Sequence, residues 1–254
     1  MQLTGMLHGS KLLRFVDFPC AEVLGPEASE DEIGKLIEKT GSVFVKPIFK
    51  GGVGKKGKSG LIGRAKDLKT ALAEKERLYF VEHRVGNVVS KAQGVTFEGA
   101  VPAEHEVYFA ITDDTRYRAP TMTLTHRGGV DIEELPKSDV AIVPFDALTG
   151  LKAFVVANAL SDIGAPREIV SPLVQHLPKL WELMHHYGMT TLELNPIRMR
   201  PDGKGRLTPV ACDFKCGFDR DGPPACGSGS APASSCRSRG TAPTAWAGAA
   251  PAGR

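Results

Sequence analysis

The chain has 254 residues, 42% of them hydrophobic, enough for one large domain or two small ones with a real core, which excludes a peptide or a fibre. Its 32 Lys and Arg stand against 29 Asp and Glu, but Arg237, Arg239 and Arg254 lie in an acid-free C-terminal stretch; setting those three aside leaves 29 against 29, without the clustered basic excess that a nucleic-acid binder needs. No stretch approaches the ~20 consecutive apolar residues that span a bilayer, and Met1 to Leu13 lacks a signal-peptide pattern, so the expected address is cytoplasmic with no membrane partner.

In chain order, Ser29 followed by Glu30, Asp31 and Glu32 predicts a helix with Ile33, Leu36 and Ile37 on one face, closing near Gly41. Val43 to Phe49 then reads as a strand. Asp67 is placed to cap a helix through about Arg77, and Leu78 to Val81 reads as the next strand. Longer strands follow at Val107 to Thr112 and Thr121 to His126, across the polar turn Asp113-Asp114-Thr115. Two helices are expected next, Leu151 to Leu160 and Ser171 to Tyr187, the second from the helical spacing of Leu173, Val174, Leu177, Leu180, Leu183 and Met184. Thr190 to Met199 and Arg206 to Phe214 predict a hairpin around Pro201-Asp202-Gly203-Lys204-Gly205. The fold class is therefore α+β. Residues 222–254 are dominated by Gly, Ala, Pro and Ser and contain no Leu, Ile, Val, Met or Phe, too little apolar surface to offset ordering entropy. They are expected to be a disordered low-complexity tail, read either as a flexible linker or as the product of a frameshift.

The five cysteines, Cys20, Cys212, Cys216, Cys226 and Cys236, are too sparse and odd in number for a disulfide framework, and reduced thiols are expected. Cys212 and Cys216 have no second Cys or His pair at finger spacing, which argues against zinc.

The conspicuous segment runs from Lys46 through Gly51, Gly52, Val53 and Gly54 to Lys58, Ser59 and Gly60. It satisfies the P-loop pattern G-x-x-x-x-G-K-S from Gly52. That motif, however, needs a helix starting at the Lys-Ser, and Gly60 and Gly63 disfavour one. The better reading is a glycine-rich flap joining strands Val43 to Phe49 and Ser59 to Ile62. Its backbone N–H groups would approach polyphosphate oxygens, while Lys46, Lys55, Lys56 and Lys58 supply charge. A solvated basic hairpin is the bland rival.

Far off in sequence, period-two alternation in Thr191-Leu-Glu-Leu-Asn-Pro-Ile197 puts Glu193 and Asn195 on one face. The paired segment Val210-Ala-Cys-Asp213 can bring Asp213 near Asn195. A carboxylate and an amide oxygen are hard ligands suited to magnesium, which takes its remaining ligands from water and phosphate. Either residue could instead simply terminate a strand.

Lys46 in Val-Phe-Val-Lys-Pro, the Gly51 to Gly60 loop, Val81-Glu82, Glu106-Val-Tyr-Phe, Gly128-Gly-Val-Asp-Ile-Glu133, Leu192-Glu-Leu-Asn-Pro196 and Asp213, in that order, resemble the ATP-grasp domain of acyl-CoA synthetases. The likeness is greatest to the nucleotide-binding part of ATP-citrate lyase and citryl-CoA synthetase, with the succinyl-CoA synthetase β subunit more distant. The resemblance covers about residues 5 to 221. It implies an ATP-grasp fold with a small lid, about 17–90, and a larger body formed by about 1–16 and 100–221. ATP and Mg are the implied cofactors. Lys46 would bind phosphate, Gly52, Val53 and Gly54 would touch phosphates through backbone amides, Glu82 and Val85 would form the adenine hinge, and Glu106 would bind the ribose. Asn195 and Asp213 would hold magnesium. No catalytic residue is implied in this chain, because in such enzymes the phosphoryl group passes through a histidine on a CoA-binding partner subunit. His185 and His186 are accordingly read as helix C-terminal residues, and His126 as structural.

The implied activity is that of the ATP- and Mg-binding portion of an ADP-forming carboxylate–CoA ligase directed at citrate. The domain that would hold the carboxylate is not recognised in the chain, which suggests truncation. A non-catalytic nucleotide-binding or assembly module, and a succinyl-CoA or malyl-CoA synthetase-like β subunit, are the alternatives.

Overall fold

The computed structural model describes residues 2–49, 60–85, 88–129 and 132–218. Their order is β1 (Gln2–Thr4), α1 (Met6–Leu13), β2 (Val23–Leu24), α2 (Glu30–Thr40), β3 (Val43–Phe49), β4 (Gly63–Ala65), α3 (Leu68–Leu78), β5 (Glu82–Val85), β6 (Val88–Gly99), β7 (Glu106–Asp114), β8 (Ala119–Thr125), β9 (Ala141–Pro144), α4 (Ala153–Asp162), α5 (Arg167–His176), α6 (Lys179–His186), β10 (Met189–Pro201), β11 (Leu207–Ala211) and β12 (Lys215–Phe218). No described helix is long and apolar enough to cross a membrane.

The strands form two antiparallel sheets. The first runs β2-β6-β3-β4, with β5 also pairing β6; the second runs β1-β12-β10-β7-β8-β9, with β11 also pairing β10. In the first, β3 alternates strictly. Val43, Val45 and Phe49 are buried with Val95 and Phe97 of β6 against α2 and α3, while Phe44 and Lys46 point to the other face. Period-two alternation thus lets one strand serve a core and a site at once. The second sheet has its own core, in which Phe109, Ile111, Leu192 and Leu194 pack against Leu160, Leu173 and Leu180 from the helices. The chain passes from sheet to sheet between Gly99 and Glu106. Within this crossover Val101 is buried with Ala21 and Val210.

Local chemistry explains the elements that match expectation. Ser29 and Glu32 form a reciprocal capping box on α2, which ends at Gly41, and the Asp67 side chain accepts from Thr70 N–H to start α3. Other elements differ. Leu78 to Val81 is not a strand, because Leu78 completes α3 and is buried beneath it; β5 starts only at Glu82. The long helix expected from Ser171 to Tyr187 is two helices broken at Leu177-Pro178, where proline cannot donate its backbone N–H. Following the Gly-rich segment, the described residues Gly60 to Ile62 are not helical, Gly63–Ala65 is a strand and the next helix begins at Leu68, so the described residues do not supply the helix that the P-loop reading needs. The Gly-rich segment itself, with Gly52, Val53 and Gly54, lies outside the described residues, as does 222–254. The strand β6 falls in a stretch that carried no strand expectation. Gly94, at φ +135°, interrupts its alternation, and the ladder to β3 slips between Pro47 and Phe49.

Phe97 anchors this arrangement: it is fully buried and holds β6 so that its neighbours Thr96 and Glu98 face away from the core of the first sheet. Phe97→Ala should cost about 3–5 kcal/mol, measured as a lowered midpoint in urea denaturation, with the deficit confined to stability if refolded protein is assayed at low denaturant.

Candidate functional site

On the face of β3 opposite the core, Lys46 lies across the ladder from Thr96, and Glu98 is one pleat further along β6. The Lys46 Nζ is 2.6 Å from Glu98 Oε2, and it donates a hydrogen bond of 3.1 Å to the backbone carbonyl of Cys212, which belongs to the segment linking β11 and β12. One ammonium therefore ties the two sheets together. Thr96 Oγ1 donates to the other Glu98 oxygen at 3.2 Å, completing the carboxylate's partners in this corner.

The pair is deeply placed, with side-chain exposures of 17% for Lys46 and 4% for Glu98. Burial works against the Lys46 ammonium, but Glu98, reinforced by Asp213, more than offsets it and holds the lysine above its ordinary pKa. Burial raises the Glu98 carboxyl above its ordinary value; Asp213 adds to this and Lys46 opposes it. With the ammonium at contact distance, the direction that governs the site is that of Lys46, which carries its proton throughout the neutral range. Burial also pushes the Cys212 thiol up to about 12, leaving it uncharged, so Cys212 serves the cluster through its carbonyl.

Asp213 follows Cys212. β12 pairs with β10 up to Glu193↔Lys215, and Cys212 N–H donates to the Pro196 carbonyl, so Asn195 and Asp213 face each other across the gap between these bonds. Both neighbours of β10 lose register here: β11 and β12 are interrupted at Cys212 to Phe214, and the ladder to β7 slips between Leu194 and Ile197. The expected simple hairpin is thus interrupted, and the interruption is what turns Asn195 and Asp213 out of the regular ladder. Phe214, fully buried beside them, fixes the segment; its N–H donates to Asp213 Oδ1 at 2.9 Å.

Gly128 and Gly129 join this site to β7. Gly128 N–H donates to the Glu106 carbonyl and Gly129 N–H to Asn195 Oδ1, at 2.7 and 2.8 Å. A Cβ on Gly128 would come 2.6 Å from the Val107 carbonyl carbon, and one on Gly129 would overlap Glu106 Oε2, so only glycines allow the approach. Glu106 is paired with Arg198, Nη2 to Oε1 at 2.5 Å.

Of the residues singled out in the sequence, Lys46, Asn195 and Asp213 come together, and Glu106 lies at the edge of the same region. Glu82 does not join them. It is exposed on β5 and pairs with Lys91, whereas Lys46 meets Glu98, seven residues further along β6, roughly 20 Å at the rise of a strand. Val85 pairs with Val88 on the same short ladder. The segment that passes between the sheets beside Lys46 begins after Glu98, whereas Glu82 and Val85 lie on the β5–β6 ladder. Glu98, Thr96 and Arg198 were not anticipated. His185 and His186 end α6 and stack near Trp181 and Phe15, with ring centroids 5.6 and 4.3 Å apart, which supports a packing role.

Magnesium fits the donor set. Asn195 and Asp213 offer an amide and a carboxylate oxygen, and no group of three or more His, Cys, Asp or Glu suited to a metal occurs among the described residues. Two hard oxygens suit a cation that arrives with phosphate and keeps waters, rather than a standing metal cage.

Residues 16–199 match the family model described as the ATP-grasp domain. Among curated proteins, the chain is similar to the β subunit of GDP-forming succinate–CoA ligase from Dictyostelium discoideum, at 28% identity over 69% of this chain and 40% of that protein. It is similar also to the β subunit of ADP-forming succinate–CoA ligase from Desulfatibacillum aliphaticivorans, at 28% identity over 76% of this chain and 51% of that protein. The chain thus spans about half the length of these relatives, or less. Among solved structures, ATP citrate lyase from Methanothrix soehngenii in complex with citrate and coenzyme A superposes with a TM-score of 0.64 at 21% identity, covering 86% of this chain and 52% of that one. That likeness is one of fold.

Lys46→Ala should destabilise the protein by about 3–5 kcal/mol, because it leaves Glu98 buried without its ammonium, and pairing Lys46→Met with Glu98→Leu should recover most of the loss. Since the folded-state pKa of Lys46 lies above the unfolded value of 10.5, its contribution is fully present below that value and is lost as pH rises through the folded one. The urea midpoint of the wild type should therefore fall as the pH is raised into that alkaline range, while the double variant, which lacks the pair, should not show this fall.

Proposed function

The chain belongs to the ATP-grasp family, and on that premise we propose that it is the ATP- and magnesium-binding portion of an ADP-forming carboxylate–CoA ligase. The observation that carries this reading is the convergence of Lys46, Asn195 and Asp213 from two sheets on one corner, with Glu106 beside it. A buried, protonated lysine is a fixed positive charge for phosphate oxygens, and its present acceptors, Glu98 and the Cys212 carbonyl, hold its stem in line. Gly52, Val53 and Gly54 would close over the phosphates with their backbone N–H groups. Glu106 would accept from the ribose hydroxyls. The base would meet the backbone of the crossover that follows Glu98 rather than Glu82 and Val85.

Magnesium, when bound by Asn195 and Asp213, would neutralise charge on the phosphate oxygens. The chain's own residues then contribute position and electrostatics. Lys46 holds the phosphates, and Gly129 N–H holds the Asn195 amide with its oxygen fixed. No covalent residue of this chain is invoked. The acceptor would be a histidine on a CoA-binding partner subunit, and the carboxylate would be bound by a part of the protein outside these residues. We read that carboxylate as citrate; the curated relatives act on succinate, so a transfer assay should offer both, with malate.

Calorimetric titration of the full chain with MgATP tests the binding step. Lys46→Ala, Asn195→Ala and Asp213→Ala should each weaken binding by about 10- to 100-fold, the worth of a hydrogen bond to a charged group. Failure of folded wild-type protein to bind, or wild-type affinity in all three variants, would contradict the proposal.

A further inference from the structure

Arg198 lies on β10 just past the Asn195-Pro196 step and directly across the ladder from Glu106. Its guanidinium has two partners. Nη2 meets Glu106 Oε1 at 2.5 Å, and Nη1 donates to the Val101 carbonyl at 3.0 Å. Val101 is near the start of the crossover between the sheets and is buried against Ala21 and Val210; Glu106 is the first residue after it. One planar, always-charged fork thus spans the crossover and sets a backbone carbonyl at one end against a carboxylate at the other, which the single point charge of lysine could not do in the same geometry.

The core does not require a cation at this position. Its neighbours Ile197 and Met199 point to the opposite face and fill the core, whereas Arg198 and Glu106 are 29% and 32% exposed, where an ion pair adds little to stability. What the pair does fix is orientation. With Oε1 held by Arg198, the second carboxylate oxygen, Oε2, is turned toward Gly129, whose N–H holds Asn195. The carboxylate is thereby presented on the side of the magnesium-ligand pair.

We propose that Arg198 is a positioning residue that orients Glu106 toward a vicinal diol and so sets the preference for a ribonucleotide over a nucleotide lacking the sugar hydroxyls. This rests on the reading of the site as a nucleotide site with Glu106 at the ribose. A carboxylate accepts from both hydroxyls of a diol only when its plane is fixed; released from Arg198, it would turn freely and lose that advantage while leaving phosphate binding intact.

The test is calorimetric titration of the full chain with MgATP and with Mg-2′,3′-dideoxyATP. Wild type should prefer MgATP by about tenfold or more. Arg198→Met should bring the ratio to within about twofold, through lost affinity for MgATP alone, and Arg198→Lys should recover part of it. A wild-type ratio in Arg198→Met, or an equal loss for both ligands, would overturn the proposal. If Arg198→Met does not fold by circular dichroism, Arg198→Lys decides: an intermediate ratio supports the proposal and a wild-type ratio overturns it. Glu106→Gln separates the premise from the proposal. A wild-type ratio there removes Glu106 as the sugar ligand, whereas a lost ratio there alongside a wild-type ratio in Arg198→Met removes Arg198 alone.

Discussion

The contact between Lys46 and its three neighbours, the Glu98 carboxylate, the Cys212 carbonyl and the nearby Asp213, is the constraint on which the site depends. A buried ammonium is costly unless it is paired, and the pairing here draws on both sheets at once. The strand that carries Lys46 has one face in a core of Val43, Val45 and Phe97, so the lysine cannot retreat from the seam without dismantling that packing. Charge and core thereby hold each other in place. The excess of negative partners also leaves the ammonium charged over any pH at which the protein would work.

The second constraint is an irregularity. β10 is paired on both sides along most of its length, yet both ladders fail around Asn195 and Pro196. A regular ladder would commit the backbone there to neighbouring strands; the break instead lets the Asp213 segment and the Gly128-Gly129 turn approach with their own donors and acceptors. Regular strands supply rigidity, and the shared gap supplies the oxygens. The two requirements are met by neighbouring residues of one strand, since Leu192, Leu194, Ile197 and Met199 are core residues on either side of the gap.

Much of this could be read from the sequence wherever a local rule governed the outcome. The capping box of Ser29 and Glu32, the Asp67 cap and the alternation of Val43 to Phe49 all act within a few residues, and they appear as expected. Lys46, Asn195 and Asp213 could be singled out because their residue types suit phosphate and magnesium on strands of recognisable period. Glu98 could not. A buried carboxylate has no local signature, its partner lies on another strand, and Gly94 disrupts the alternation that would have marked β6. Without that strand in view, the sequence offered no reason to look for a partner of Lys46 beyond Glu82. Arg198 was equally silent, since an arginine on the polar face of a strand resembles any solvated charge. The single helix expected from Ser171 to Tyr187 is divided at Pro178; the apolar spacing of α5 and α6 runs through the proline and favoured one helix.

Hydrogen–deuterium exchange of the full chain with and without MgATP tests the central claim most directly, because it locates the ligand without altering a residue. The account predicts slower exchange in peptides covering β3, the crossover from Glu98 to Glu106, and the segments around Asn195 and Asp213. A separate cavity of about 530 Å³, lined by Lys11, Arg14, Glu22, Glu32, Lys35 and Lys39 from α1, α2 and the segment between them, provides the internal comparison. Protection confined to that cavity, or absent from the Lys46 corner while MgATP binds, would contradict the account.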